Sequence, residues 1–436
     1  MKITKDLLFL TIAALVLAAI RILFPDVYHH FDVKTFIIWG NYADSIRELY
    51  NTECYCNYPI VGLLLSTGIL KILHNSIASY LYFLVGIDII NLILIYFLLR
   101  RFKIKNAGIW AAVIGLLPSS WAGGMLWGQI DNLGQLILIL LVLTITFVNT
   151  GKKELRNSRF FIYISLLAIL MAAGFLTKQL VTFSLIPLAL LITVNILIKT
   201  GFRIFRSAIY ISLIIFIVLL IVALFDSWLI FPDKYFSHME RVLLTGSYHI
   251  EAISGNGFNI WMLLNRDMYS SANIPFLFSW TPKITGIILF LLNSAMLTYF
   301  LVLKTGMNLN TRLSSELISI YLVYLALINL NLNLFLTGSH ERYLYHFYPF
   351  LIIALLIMNK GKISLRQNLS LSLSLIGGIL YGAFVLGILL NSRYQDAHIS
   401  MFLFHFILYI VLFSEFASDI DIPLFRKNLK HYLEKN

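Results

Sequence analysis

The chain has 436 residues, of which 59% are hydrophobic and only 12% charged, with a formal net charge of +12. A soluble domain carries roughly 25% charged residues, so this composition excludes a soluble globular protein and points to a polytopic membrane protein. In that setting a positive balance does not argue for nucleic acid; the charges have to be sorted by side of the membrane.

A spanning helix needs about 20 apolar residues. Twelve segments qualify, near 6–24, 78–99, 107–122, 130–149, 160–176, 179–198, 207–230, 284–303, 316–336, 344–359, 370–391 and 399–417. The first, from about Leu7 to Leu23, lacks a small-residue cleavage site and reads as a retained helix rather than a signal peptide. The run from Tyr58 to Leu73 is short and carries Ser66, Thr67 and Lys71. It is expected to lie as an amphipathic helix at the outer surface. If it crossed, Arg100, Arg101, Lys103 and Lys105 would fall outside, against the positive-inside rule.

With that choice the inner segments hold 22 of the 33 Lys and Arg, and both termini are cytoplasmic. Two long outer segments remain, about 25–77 and 231–283. No repeat, Gly/Ser linker or soluble domain interrupts the pattern. The expected fold is all-α and polytopic, with about 12 transmembrane helices and outer-face juxtamembrane helices in the first long loop. Residues 1–436 form a single integral membrane domain, with the two outer loops covering a site.

The polar clusters are then taken in order. Between His30 and Pro59 lie Asp32, Asp44, Glu48 and Glu53, with Asp26 just upstream. Asp32 could act as a general base or as the cap of a helix beginning near Val33. Asp44, twelve residues on, is the second candidate for that base, or a solvated helix-face residue. Cys54 and Cys56 form a lone C-x-C. A disulfide across one residue is strained and two ligands do not make a zinc site, so both read as loop cysteines without a chemical role. From Trp121 to Asn132 the chain carries two tryptophans, three glycines, Gln129 and Asp131. Polar groups at the start of an apolar segment are costly unless paired; an interfacial tryptophan belt and an N-cap at Asp131 are the structural alternative.

Lys178, between two apolar runs, can snorkel or hold a phosphate as a point charge. Ser254 to Trp261 contains Asn256, Asn259 and Trp261; an Asn/Gly turn would explain it structurally. His340, Glu341 and Arg342 are three titratable residues in a row at a membrane boundary, a functional pattern by default, with a Glu341–Arg342 ion pair as the alternative. Asp419-Ile420-Asp421 is a D-x-D at the inner end of the last helix beside a polar tail, with no domain to hold a nucleotide. No P-loop, Rossmann glycine pattern or HExxH occurs.

Several of these motifs fall together. Asp32 is followed seven residues later by Trp39, and Asn57-Tyr58-Pro59-Ile60 closes the loop. This resembles the first extracytoplasmic loop of the GT-C superfamily of membrane glycosyltransferases, in which the loop carries a catalytic aspartate. The Asp–Trp spacing is that of the branch containing the N-glycan glucosyltransferases. Trp127-Gly128-Gln129-Ile130-Asp131, the Asn256…Asn259-Ile260-Trp261 element and His340-Glu341-Arg342-Tyr343 resemble further motifs of the same enzymes and of bacterial mannosyltransferases. The chain departs from the pattern at Ile60, where a second proline is usual, and at Lys34, where the closest relatives have glutamate.

The resemblance implies an inverting hexosyltransferase that uses a polyprenyl-phosphate sugar donor and a glycan or lipid-linked acceptor. It would work on the extracytoplasmic face of the plasma membrane, with membrane lipids as its surroundings and no nucleic-acid partner. Asp32 would be the catalytic base. Lys178, His340, Glu341, Arg342, Gln129 and Asp131 would bind the donor. Trp39, Tyr58, Asn256, Asn259 and Trp261 would position substrate. No metal or other cofactor is expected. A polysaccharide polymerase or ligase, and a lipid-linked sugar transporter, are the alternative classes. A transporter should place its polar residues at mid-membrane, where Asp88 and Asn91 lie; an interhelical hydrogen bond would also account for that pair.

Overall fold

The computed structural model describes residues 2–42, 50, 56, 58–147, 157–226, 250–264, 267–308, 313–358, 365–390, 397–418, 420, 421 and 423. Asp44, Glu48, Glu53, Cys54, Asn57 and Asp419 lie outside this set. The described residues form helices joined by turns and a few isolated β-bridges.

In chain order the helices are α1 (Lys2–Leu23), α2 (His30–Tyr42), α3 (Ile60–Ile72), α4 (Ile77–Arg101), α5 (Ala107–Leu116), α6 (Asp131–Phe147) and α7 (Asn157–Thr177). They continue with α8 (Gln179–Lys199), α9 (Ile204–Ala223), α10 (Pro282–Asn308), α11 (Ser315–Phe335), α12 (Phe347–Met358), α13 (Leu365–Leu389) and α14 (Ala397–Ala417). Nine of the described helices are long and apolar enough to cross a membrane: α1, α4, α7 to α11, α13 and α14. The chain is therefore a helical membrane protein.

The other three segments expected to span are shorter helices, α5, α6 and α12. At 1.5 Å per residue α5 is about 15 Å long, half of a hydrocarbon core. It stops because Pro118 has no N–H to give and its ring excludes the preceding turn. The chain continues as a 3₁₀ turn, Pro118–Ser120, and a five-residue π-helical turn, Ala122–Leu126. Ile60–Ile72 forms a helix as expected. It buries Ile60, Leu63, Ser66, Thr67 and Leu70 and packs on α2 and α7.

The centre of the molecule is α11. Every side chain from Leu317 to Phe335 is buried, and α8, α10, α12 and α14 surround it. Its three asparagines each donate a hydrogen bond, as buried amides usually do, although Asn331 Oδ1 has no partner among the described residues. Asn329 Nδ2 donates to Ser184 Oγ (3.0 Å). Asn331 Nδ2 donates to Ser294 Oγ (2.8 Å) and Phe290 O (3.1 Å). Asn333 joins two parts of the candidate site, described below. Asp88 and Asn91 on α4 are buried and bonded to α6: Asn132 Nδ2 donates to Asp88 Oδ1 (3.0 Å) and Asn91 Nδ2 to Asn132 O (2.9 Å).

The two ends of α4 differ in chemistry. At its N-terminal end Tyr80 OH donates to Gly128 O (3.2 Å) beside Gln129. At its C-terminal end Arg101 donates to Thr146 O (2.6 Å) and Arg100 meets Asp6 (3.4 Å). Twenty-five residues of helix, about 37 Å, separate them.

Candidate active site

Asp32 sits in the first turn of α2, where the helix dipole favours a carboxylate. Its side chain turns towards neighbouring elements rather than capping its own. Oδ2 accepts from Trp127 Nε1 (2.6 Å) and Gln129 Nε2 (2.6 Å). His29 Nδ1 lies 3.3 Å from the same oxygen and Arg342 Nη1 3.7 Å. Among the described residues the four contacts all fall on Oδ2, which leaves Oδ1 to accept from a molecule beside it. Burial works against the charge. The hydrogen bond with His29, the charge of Arg342 and the indole of Trp127 outweigh it, and the carboxyl is held well below the usual carboxylate range.

The π-helical turn delivers Trp127 and Gln129 to this point. Arg21, buried near the end of α1, fixes the turn by donating to Met125 O (2.9 Å) and Val27 O (3.0 Å). Gly128 follows with φ 90°, and a Cβ there would lie 2.5 Å from Val33 Cγ2. Only glycine allows both that backbone and that approach to α2. The imidazole of His29 stacks on Trp127 at 4.4 Å.

Gln129 is held at both ends. Its Oε1 accepts from Lys178 Nζ (2.9 Å) and from Tyr58 OH. Lys178 also donates to Asp131 Oδ1 (2.6 Å), a buried ion pair. Two donors on one amide end fix the orientation of the other, so the amide N–H₂ must face Asp32.

The loop 250–264 closes the site together with the turn after α11. Gly255 and Asn256 pair with His340 through isolated β-bridges, and Ser339 O accepts from the N–H groups of Gly255 and Gly257 (both 2.8 Å). Asn333 reaches from α11 to both segments of this junction. Its Oδ1 accepts from Phe258 N (3.1 Å) and its Nδ2 donates to His340 O (2.8 Å). The turn Glu341–Leu344 then splits its charges. His340 and Arg342 face a cavity, whereas Glu341 is buried at 1% exposure. Neither Glu341 oxygen has a hydrogen-bond partner among the described residues. Burial pushes its carboxyl up to about 7, with Arg342 opposing.

The cavity has a volume of ≈ 640 Å³, within the range of ligand sites. Asp32 and Gln129 stand in its wall with Arg342, His340, Trp39 and Tyr58; Asn256 and Tyr269 also border it. Of the residues singled out from sequence, Asp32, Gln129, His340, Arg342, Trp39, Tyr58 and Asn256 thus come together. Lys178, Asp131, Glu341, Asn259 and Trp261 do not line the cavity. Asn259 Nδ2 donates to Ile253 O (2.9 Å) and Ser339 Oγ (3.1 Å), and Trp261 Nε1 to Phe335 O (2.7 Å), so both anchor the loop. His29, Trp127, Tyr269 and Asn333 were not among the expected site residues. His29 and Trp127 carried a signal, since each adjoins a motif. Tyr269 and Asn333 carried none beyond being polar near apolar runs.

The arrangement places a carboxylate with one open oxygen beside a guanidinium and two imidazoles, on the wall of one cavity. It can take a proton from a bound hydroxyl and can hold an anion. Compared with known proteins, the chain matches no family model and no curated protein.

Proposed function

We propose that the protein is an inverting glycosyltransferase that moves a hexose from a polyprenyl-phosphate donor to a glycan or lipid acceptor at the extracytoplasmic face. The observation that carries this reading is the pairing of Asp32 with Arg342 and His340 across one cavity. The spacing of Asp32, Trp39 and Tyr58 supports it as a resemblance.

In this reading the acceptor hydroxyl donates to Asp32 Oδ1. Its oxygen attacks the anomeric carbon from the face opposite the phosphate. The bond between that carbon and the phosphate oxygen breaks, and the proton passes to Asp32. The leaving polyprenyl phosphate gains one negative charge, which Arg342 and His340 stabilise; preorganised charge of this kind is often the largest catalytic contribution. A single displacement inverts the anomeric centre. A carboxyl held this acidic is a weak base at rest. Arg342 drawn onto the phosphate would relieve it, and the hydroxyl becomes far more acidic as its oxygen bonds to carbon, so the proton moves late.

The test is a panel of labelled polyprenyl-phosphate sugars offered to the purified protein. One donor should be consumed, and Asp32→Asn should lower turnover by about 10²- to 10⁴-fold, the usual contribution of a general base. Asp26→Asn, an exposed carboxylate nearby, should leave it unchanged. Consumption of no donor, or full turnover in Asp32→Asn, would end this reading.

A further inference from the structure

A second cavity lies at the other end of α4 from the candidate active site. It has a volume of ≈ 620 Å³ and opens between α4 and α6. Leu94, Phe97, Leu140 and Phe147 form apolar walls, and Arg100 and Arg101 stand together with them. Phe97 and Phe147 are 54% and 66% exposed, so the groove opens sideways, where acyl chains would surround the helices.

Each arginine is held in place yet keeps donors to offer. Arg101 Nη2 donates to Thr146 O (2.6 Å) at the C-terminal end of α6, and its guanidinium lies over the Phe147 ring at 5.5 Å. Arg100 Nη1 meets Asp6 Oδ2 (3.4 Å) and Tyr96 OH (3.5 Å). A guanidinium has five N–H donors, and among the described residues these contacts engage one nitrogen of each. The nearby carboxylate of Asp6 offsets one charge. Exposed Lys103 and Lys105 follow directly, so the balance here is positive.

We infer that this groove is a binding site for an acidic phospholipid, with its phosphate on Arg100 and Arg101 and one acyl chain along Leu94, Phe97 and Leu140. The argument is charge complementarity joined to shape. An apolar slot ending in two fixed cations matches a molecule with an apolar tail and an anionic head. Basic pockets between helices at the inner membrane boundary are suited to such headgroups. The inference does not depend on the proposed reaction, because the two cavities lie at opposite ends of α4.

Native mass spectrometry of the full chain, delipidated and then offered phosphatidylglycerol and phosphatidylcholine of equal chain length, reads the site directly. Phosphatidylglycerol should be retained about fivefold better, since one basic residue near an anionic headgroup contributes roughly that factor and Asp6 offsets the second. The double variant Arg100→Gln/Arg101→Gln should lose the preference. Lys103→Gln/Lys105→Gln, which removes the same charge outside the groove, should keep it. Leu140→Trp fills the slot while leaving both arginines, and it too should reduce retention, which covers the case in which the double arginine variant does not fold. Equal retention of the two lipids overturns the proposal. So does an equal loss in the lysine variant, which would mean general surface charge, or undiminished retention in Leu140→Trp, which would mean headgroup contact without a groove.

Discussion

A glutamine side chain can present either end to a carboxylate, and Lys178 with Tyr58 determines which end Gln129 presents. The sequence offers Lys178 either as a cation for a donor phosphate or as a snorkelling boundary residue. What the sequence cannot show is that Asp131, 47 positions earlier, folds against it. Lys178 holds Gln129, which in turn donates to Asp32, so on the proposed reading it would act by positioning. Removing one member of a buried pair leaves the other charge uncompensated, at about 3–5 kcal/mol. Lys178→Ala should therefore lower thermal stability markedly, and Lys178→Met/Asp131→Leu should recover much of it. If Lys178→Ala keeps its melting temperature and only raises the donor KM, the lysine contacts phosphate after all. Glu341 supplies a second prediction at this scale. Unfolded, its carboxyl loses its proton near 4.5; folded, it keeps it to about 7. Over that window the folded state binds more proton, so stability falls as pH rises from about 4.5 to 7 and levels off above. The loss is on the order of 3 kcal/mol. Asp32 shifts the other way, and its window lies below the ordinary carboxylate pKa, outside this range. Melting in detergent from pH 5 to 8 should show the decline in the wild type and much less of it in Glu341→Gln; identical slopes would mean that Glu341 is ionised throughout.

Among the elements, the long spans were legible because a helix inside a bilayer advertises itself by length and hydropathy alone. Segment 107–122 was not, because window-averaged hydropathy passes over the break that Pro118 and two glycines impose. That break is what brings Trp127 and Gln129 to Asp32, so the least regular element positions the site. The loop 250–264 was legible as a polar cluster, but its pairing with His340 was not, since a β-bridge between segments some 85 residues apart leaves no local pattern. The loop's two glycines can be told apart by what a methyl group would meet. At Gly255 a Cβ would lie 2.5 Å from the His340 ring, a side chain that can rotate away. At Gly257 it would lie 2.4 Å from Ser339 O, part of the backbone the loop is seated on. Gly255→Ala should therefore fold and displace His340. Its donor KM should rise as in His340→Ala, with the double variant no worse than either single one, as expected for residues acting through one contact. Gly257→Ala should instead lower the melting temperature. Additive effects of Gly255→Ala and His340→Ala would separate the glycine from the histidine.

At the scale of the whole molecule, every group proposed for chemistry collects at one end of α4, and Arg100 and Arg101 stand at the other. Lys103 and Lys105 follow the arginines directly. The next inner segment expected from sequence, 150–159, carries Lys152, Lys153, Arg156 and Arg159. Basic residues near the ends of spans are retained on the cytoplasmic side. The arginine end should therefore face the cytoplasm, and the cavity of Asp32 should open to the outside. On the proposed reading this orientation decides the donor, because a site outside would be cut off from soluble nucleotide-activated sugars and would take a lipid-linked one. Single cysteines test it in a background with Cys54→Ser and Cys56→Ala, so that neither native thiol contributes. Asn256→Cys, on the cavity rim, should react with an impermeant maleimide added to intact cells. Leu155→Cys, in the basic segment, should react only after the membrane is opened. Labelling of both from outside would place the basic segment and the cavity on the same side. Labelling of Leu155→Cys alone would invert the protein, turn Asp32 towards the cytoplasm, and remove the reason for a polyprenyl-phosphate donor.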